Sequence, residues 1–259
     1  MTPWRAAVIG HPVAHSRSPA LFARFAIASG VSLTYEAVDV PPAALAATLA
    51  AWRTDRNFLG CNVTLPHKER ALALADRAES SALACGAANV LTRVDGTLVA
   101  GNTDVDGVEA ALAQAGVALA GMRVAILGTG GAARAVAEAA RRSGAAALVV
   151  AGRDPGRAAE LAAAFGGRAV ALDAVPPSDL YVNATSLGMV GEPQLSLLPP
   201  DAAAPAAAFD VVYVPEATPF ILEARGRGLR TVTGTAMFVA QAAATFERWF
   251  GFAPKDPAE

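Results

Sequence analysis

Lysine is nearly absent from this 259-residue chain: of 21 basic side chains only Lys68 and Lys255 are lysines, and the other 19 are arginine. Cysteine is as sparse. Cys61 and Cys85 are too few for a disulfide framework and match no zinc spacing, so they read as two free thiols in a reducing cytoplasm. Aromatic residues make up 6% and charged residues 17%. The 21 basic residues face 23 acidic ones, so no basic surplus points to nucleic acid or an anionic bilayer. No run of 18 residues escapes charge, Pro and Gly, which speaks against a membrane span. The opening MTPWRAAVIGHPVAHS lacks a basic leader with an apolar core, so no export signal is expected.

What is plentiful is apolar. Hydrophobic residues make up 54%, 64 residues are alanine, and the mean hydropathy is +0.37. That is enough surface to offset the ordering entropy of folding, which excludes disorder, and the length fits one large domain or two ordinary ones. The Ala and Arg excess reads as coding composition. Against it a motif lysine stands out, because arginine stays protonated at any accessible pH while an ammonium can give up its proton. Lys255 lies in a Pro-rich tail and reads as solvated surface; Lys68 lies in a polar cluster.

Strands and helices alternate along the whole chain. In the second half, apolar runs at Arg123–Leu127, Ala147–Ala151, 168–172, 180–184, 209–213 and 230–233 read as strands. Helices read at 131–143, stopped by Gly144, and at 155–165, stopped by Gly166. Short β-branched runs without alternation, separated by helices, imply a parallel sheet covered on both faces. A doubly wound domain is therefore expected over 104–235. The first hundred residues give strands at 6–9, 34–40 and 59–63 and helices at 19–29, 42–52 and from Pro66 onward, with Pro and Gly at helix boundaries. Val90–Val94 and 97–100 read as a hairpin through the Asp95-Gly96 turn. The two α/β units are expected to touch across a cleft, where small-molecule sites form.

Strand 123–127 runs into Gly128-Thr129-Gly130-Gly131-Ala132-Ala133-Arg134 and then a helix, the context in which a dinucleotide fingerprint has meaning. Gly128 allows the tight turn, Gly130 lets backbone approach a pyrophosphate, and Ala133 keeps helix and strand close; the N–H groups at the helix start supply the anion site. After the next strand, Arg153 and Arg157 stand four residues apart and suit a 2′-phosphate. Asp154 fits two roles. It accepts from ribose hydroxyls, which favours NAD, or it caps the helix at Pro155, which leaves the arginines to favour NADP.

Three polar clusters interrupt the apolar first half. The first is His15-Ser16-Arg17-Ser18-Pro19, whose serines either present hydroxyls at a strand's carboxyl end or cap the next helix. The second is 62–69, with Lys68 in the first turn of a helix. The third is Asn89 with Asn102-Thr103-Asp104, and Asp104 is the natural carboxylate to hold Lys68. His11, His15 and His67 have no second ligand at metal spacing, so no metal is expected.

Assembled in order, these residues resemble the shikimate dehydrogenase family over nearly the whole chain. G-x-P-x-x-H-S-x-S-P stands at 10–19, N-V-T-x-P-x-K-E at 62–69, G-A-x-N at 86–89 and N-T-D-x-x-G at 102–107. G-x-G-G-A-x-R stands at 128–134, N-A-T-S-x-G-M at 183–189, D-x-x-Y-x-P-x-x-T-P at 210–219 and M-x-V-x-Q-A at 237–242. The resemblance implies an α/β enzyme of two domains: a substrate domain over 1–103 plus 236–259, reached by a returning C-terminal helix, and a Rossmann-like NADP domain over 104–235. It implies NADP-dependent reduction of 3-dehydroshikimate to shikimate in aromatic biosynthesis. It also implies that Ser16 and Ser18 hold the substrate carboxylate, that Thr64, Asn89, Asp104, Tyr213 and Gln241 line the ring hydroxyls, and that Lys68 and Asp104 form the acid/base pair. The cofactor would rest on Gly128, Gly130, Gly131 and Ala132, with Arg153 and Arg157 at the 2′-phosphate and Thr185, Val211, Gly234 and Met237 near the nicotinamide.

Several positions depart from the family's usual pattern: Val90 for Thr, Gly152 and Asp154 for Asn and Thr, and Thr235-Ala236 before Met237. They leave open a paralogue that prefers quinate or an amino analogue. Two other classes stay in view, a non-catalytic NADP(H) sensor and a related dehydrogenase acting on a folate or an amino acid. The expected partner is a small-molecule substrate, with no nucleic acid and no membrane, in a monomer or homodimer in the cytoplasm.

Overall fold

Two six-stranded sheets, one in each of two units, arise from the alternation of apolar runs and helices. The structure is a computed structural model that describes residues 2–255; Met1 and residues 256–259, which fall in the substrate domain as read above, lie outside the described residues. The units are Met1–Thr103 with Gln241–Glu259, and Asp104–Ala240.

The first unit runs β1 (Trp4–Gly10), α1 (Ser18–Ser29), β2 (Leu33–Asp39), a 3-10 turn at Pro42–Ala44, α2 (Leu45–Thr54), β3 (Phe58–Val63), α3 (Lys68–Leu74), β4 (Arg77–Ala78), α4 (Ser80–Cys85), β5 (Val90–Val94) and β6 (Thr97–Gly101). The sheet order is β2-β1-β3-β5-β6-β4. β1 lies parallel to β2 and β3, whereas β5 is antiparallel to β3 and β6. One side is filled by Ile9, Leu45, Leu49, Phe58, Cys61 and Leu91, all buried. Burial pushes the Cys61 thiol far above its ordinary range, so it is an inert part of this core. The β5–β6 turn is made by Asp95 and Gly96, at φ 51° and 81°, the left-handed pair that a two-residue hairpin needs. Two helices start later than the Pro positions suggest. The segment at 42 opens as a 3-10 turn, and α3 begins at Lys68 because Thr64–His67 closes a turn first, His67 N donating to the Thr64 carbonyl at 2.9 Å.

The second unit runs α5 (Asp104–Gln114), β7 (Arg123–Leu127), α6 (Gly131–Arg142), β8 (Ala147–Ala151), α7 (Pro155–Ala164), β9 (Arg168–Val170), a 3-10 turn at Leu172–Ala174, β10 (Leu180–Asn183), β11 (Ala207–Asp210), α8 (Pro219–Gly226), β12 (Arg230–Val232) and α9 (Gly234–Phe250). Its sheet is parallel throughout in the order β12-β11-β10-β7-β8-β9. That is the Rossmann order, and it reverses between β7 and β10, where ligands of such sheets bind. The strand read at 209–213 is a correction: β11 ends at Asp210, whose Oδ1 accepts from Val212 N at 2.9 Å and turns the chain out of the ladder. α9 begins in this unit, and the division falls inside it at 240/241, whereas the sequence reading put the return at 235/236.

Phe209 and Phe220 anchor the second core and are fully buried, so truncating either to Ala costs about 3–5 kcal/mol. At the sheet's rim Asp179, just before β10, accepts from Arg123 N at 2.8 Å and from the same guanidinium at 2.8 and 3.1 Å. The Arg123 guanidinium holds the Asp179 carboxyl below its ordinary 3.8, at about 2. The folded-state value is the lower one, so the contribution is fully present above about pH 4 and is lost as the pH falls toward 2. Asp179→Asn should therefore lower Tm by a constant amount from neutral pH down to about pH 5 and by almost nothing near pH 2, read by thermal denaturation across that range.

Candidate active site

The carboxyl end of β1 leads into residues 10–16, and that of β3 into Thr64 and Leu65. A Cβ on Gly10 would lie 2.5 Å from the Thr64 methyl and 2.9 Å from the Leu65 carbonyl, so only glycine lets these two loops meet. Thr64 N donates to the Ile9 carbonyl at 2.8 Å and His11 N to the Leu65 carbonyl at 3.0 Å. Asp39 pins the first loop from β2, accepting from Val13 N at 3.2 Å and pairing with His11 Nδ1 at 2.9 Å. Ser18 is the first residue of α1 and is buried, and the helix has no side-chain cap. Ser16 Oγ accepts from Ser18 N at 3.3 Å. Capping therefore does not account for Ser18.

Lys68 begins α3, half-buried, and its carbonyl accepts from Ala88 N at 2.9 Å. The next residue, Asn89, is buried; its Oδ1 accepts from Thr103 N at 2.7 Å and its Nδ2 donates to Thr103 Oγ1 at 2.9 Å. Asn102 Nδ2 reaches the Ala87 carbonyl at 2.9 Å. Residues 87–89 are thus tied to Lys68 on one side and to Asn102 and Thr103 on the other, directly before Asp104, the buried first residue of α5. His67, beside Lys68, points its Nε2 at the Val40 carbonyl at 2.6 Å and serves structure. Among the described residues no group of three His, Cys, Asp or Glu is placed to hold a metal ion.

In the second unit the glycine turn lies at the switch point. Gly128 has φ 129°, and a Cβ there would lie 2.6 Å from the Ala184 carbonyl at the end of β10. Gly130 is the N-cap of α6, with no side-chain cap bond, and nothing stands within 4 Å of where its Cβ would be. Gly131 and Ala132 open the helix half-buried, and Ala133 is fully buried against the sheet. An uncapped helix start with open space over a glycine fits a pyrophosphate. Arg153 and Arg157 are both exposed at the start of α7. Asp154 Oδ1 accepts from Gly156 N at 2.9 Å and Arg157 N at 3.1 Å, so it is the cap of α7.

Thr185, Val211, Gly234 and Met237 all stand at or just past the carboxyl ends of β10, β11 and β12. Gly234 is packed so closely that a Cβ would lie 2.6 Å from the carbonyls of Val211 and Val212. Val211 N donates to the Asn183 carbonyl at 3.0 Å. Tyr213 stacks on Phe238, centroids 4.3 Å apart and 9° from parallel, and Gln241 lies half-buried further along α9. Two residues without an assigned role tie this crest together. Asn183 donates from Nδ2 to Asp210 Oδ1 at 3.0 Å and accepts at Oδ1 from the Thr185 hydroxyl at 2.6 Å. Asp210, fully buried, also accepts from Thr218 Oγ1 at 2.5 Å. Burial pushes its carboxyl upward, against the bonds from Thr218, Val212 and Asn183 that favour the charged form.

Comparison with known proteins decides the family. A model of the shikimate dehydrogenase substrate binding domain matches residues 8–91, and a model of NADP oxidoreductases dependent on coenzyme F420 matches 123–194. The shikimate dehydrogenase (NADP(+)) of Mesorhizobium japonicum is 41% identical, over 98% of this chain and 93% of the relative. That of Thermus thermophilus is 45% identical, over 98% and 94%. The chain belongs to the shikimate dehydrogenase family. The crystal structure of the Thermus thermophilus shikimate 5-dehydrogenase, in complex with NADP(H) and shikimate, superimposes with a TM-score of 0.87 at 42% identity, covering 98% of this chain and 96% of that one.

The departures from the family pattern have local causes. Gly152 faces Thr129, whose methyl would lie 2.8 Å from a Cβ, so any larger residue there requires the Thr129 side chain to shift. Asp154 takes over the cap of α7. Val90 is fully buried between Asn62 and Gly101 in the ladder, where its methyls fill core. Nothing in the structure explains Thr235-Ala236.

Two glycine variants separate geometry from ligand contact. Gly128→Ala should lower both Tm and dinucleotide affinity, because backbone must move. Gly130→Ala should leave Tm unchanged while weakening dinucleotide binding, read by fluorescence titration with the reduced nucleotide.

Proposed function

We propose that this chain is an NADP-dependent shikimate dehydrogenase that reversibly reduces 3-dehydroshikimate to shikimate in the cytoplasm, a step of aromatic amino-acid biosynthesis. The observation that supports it most is the tie of residues 87–89 to both Lys68 and Thr103, which places the start of the lysine-bearing helix and the residue before Asp104 from one segment. The Thermus thermophilus relative in complex with NADP(H) and shikimate supports the same substrate and cofactor.

In this reading Ser16 and Ser18 hold the carboxylate, and Thr64, Asn89, Tyr213 and Gln241 take the ring hydroxyls. Gly128, Gly130, Gly131 and Ala132 receive the pyrophosphate, Arg153 and Arg157 the 2′-phosphate, and Thr185, Val211, Gly234 and Met237 flank the nicotinamide. The chemistry that the dinucleotide supplies when bound is hydride transfer to or from carbon. The protein's own part is the proton. Lys68 gives it to the carbonyl oxygen as negative charge builds there, and takes it from the hydroxyl in the oxidative direction. Asp104 orients the ammonium and balances its charge. A positioned proton donor of this kind contributes about 10²–10⁴-fold.

Absorbance at the nicotinamide band, with shikimate and quinate against NADP+ and NAD+, tests the reading directly; silence with every polyol acid would favour a sensor. Lys68→Ala should lower kcat by about 10²–10⁴-fold with little change in KM, and near-normal turnover would refute the assignment. Arg153→Ala with Arg157→Ala should raise KM for NADP+ at least about tenfold, the scale of one lost charge-assisted pair, and leave KM for NAD+ unchanged.

A further inference from the structure

Beneath the substrate-side residues runs a chain of buried polar side chains that the proton transfer does not use. It starts at Tyr35 on β2, whose hydroxyl donates to Asn62 Oδ1 at 2.8 Å. That bond orients the Asn62 amide, so its Nδ2 faces Thr245 Oγ1 at 3.1 Å and, more loosely, the Asn89 carbonyl at 3.4 Å. Thr245 Oγ1 lies 3.1 Å from Thr103 Oγ1, and Thr103 holds both ends of the Asn89 amide. Relative exposures are 6% for Asn62, 2% for Asn89, 4% for Thr103 and 0% for Thr245, so no bulk water competes along this chain.

The donor count makes Thr245 the pivot. Thr103 Oγ1 already accepts from Asn89 Nδ2, so its own hydrogen goes either to Thr245 Oγ1 at 3.1 Å or to Asn89 Oδ1 at 3.3 Å. With the Thr245 oxygen present, the first choice sends the Thr103 hydrogen away from Asn89 Oδ1, which keeps the Thr103 N–H, and the amide keeps one orientation. Without it, the Thr103 hydroxyl turns onto Asn89 Oδ1, and Asn62 Nδ2 is left with only the 3.4 Å contact. Buried donors without good acceptors are costly, so the surrounding amides shift to find them. Thr245 stands one turn beyond Gln241 on α9, and Trp249, one turn further, packs near the Phe22 ring that stacks on Tyr35, which fixes the helix against the start of the chain.

We propose that Thr245 is a positioning residue: through Thr103 it sets the orientation of the Asn89 amide, and with it the affinity for the substrate's ring hydroxyls. This rests on the substrate-side reading given under Proposed function.

Thr245→Val removes the oxygen at constant shape, and Thr245→Ser keeps the oxygen without the methyl. In steady-state kinetics the valine variant should raise KM for shikimate about tenfold, the cost of one buried hydrogen bond, with KM for NADP+ unchanged, and the serine variant should restore it. Tyr35→Phe, at the half-buried end of the chain, should raise the same KM by a smaller factor and carries the test if the valine variant does not fold. A second readout needs no turnover: the side-chain amide protons of Asn89, assigned by their loss in Asn89→Asp, should shift and exchange faster in the valine variant, or in Tyr35→Phe in its place. An unchanged shikimate KM, a serine variant as impaired as the valine one, or an unmoved Asn89 amide signal would each overturn the proposal. A wild-type protein silent with shikimate whose Asn89 signal still responds to Thr245→Val would count against the dehydrogenase reading and leave the amide relay standing.

Discussion

The hydrogen bonding of residues 87–89 fixes the first unit's polar centre. Ala87 N donates to the Ala82 carbonyl, Ala88 N to Lys68, Asn89 N to Gly101, and the Asn89 carbonyl accepts from Val63 N. Buried backbone groups left unpaired are expensive, so a segment with this many commitments has one place to be. Lys68 on α3, the loop after β3 and the Asn102-Thr103 stretch are then located by the same three residues. The chemistry proposed for Lys68 and Asp104 needs that shared reference, because a misplacement of about 1 Å is enough to cost a large part of a catalysed rate.

The second unit solves a related problem with a different device. A parallel sheet ends all its strands at one crest, so the loops there have no ladder to hold them. Close glycine contacts at 128 and 234 and the Asn183–Asp210–Thr218 bonds replace it. Asp210 is a carboxyl kept out of water by choice of neighbours: each of its bonds comes from a loop or strand that the crest must keep in register.

Much of this was legible in the residues themselves. β7 and β8 match their apolar runs to the residue, the Asp95-Gly96 turn has the dihedral angles its sequence demands, and Asp154 caps as its place before Pro155 implied. The failures have physical reasons. Val211, Val212 and Tyr213 are as apolar as a strand, yet the ladder ends with the Val211 amide on Asn183, because the Asp210 side chain takes the Val212 amide. β4, of two residues, is too short to leave a pattern, and α4 and α8, of six and eight residues, are too short for a helical repeat to show. Thr245 sits among alanines and phenylalanines in α9 with nothing nearby in sequence to signal a polar partner; its partners are more than a hundred residues away.

The arginine-rich surface has a practical corollary for anyone handling this protein. Lys68, partly shielded at the start of a seven-residue helix, and Lys255, exposed near the end of the described chain, are the only side-chain primary amines present. An acylating reagent therefore meets one reporter of the polar centre and one internal standard for solvent access. Mass spectrometry of the two tagged peptides, with and without small molecules in the buffer, reads occupancy around Lys68 in the unmutated chain.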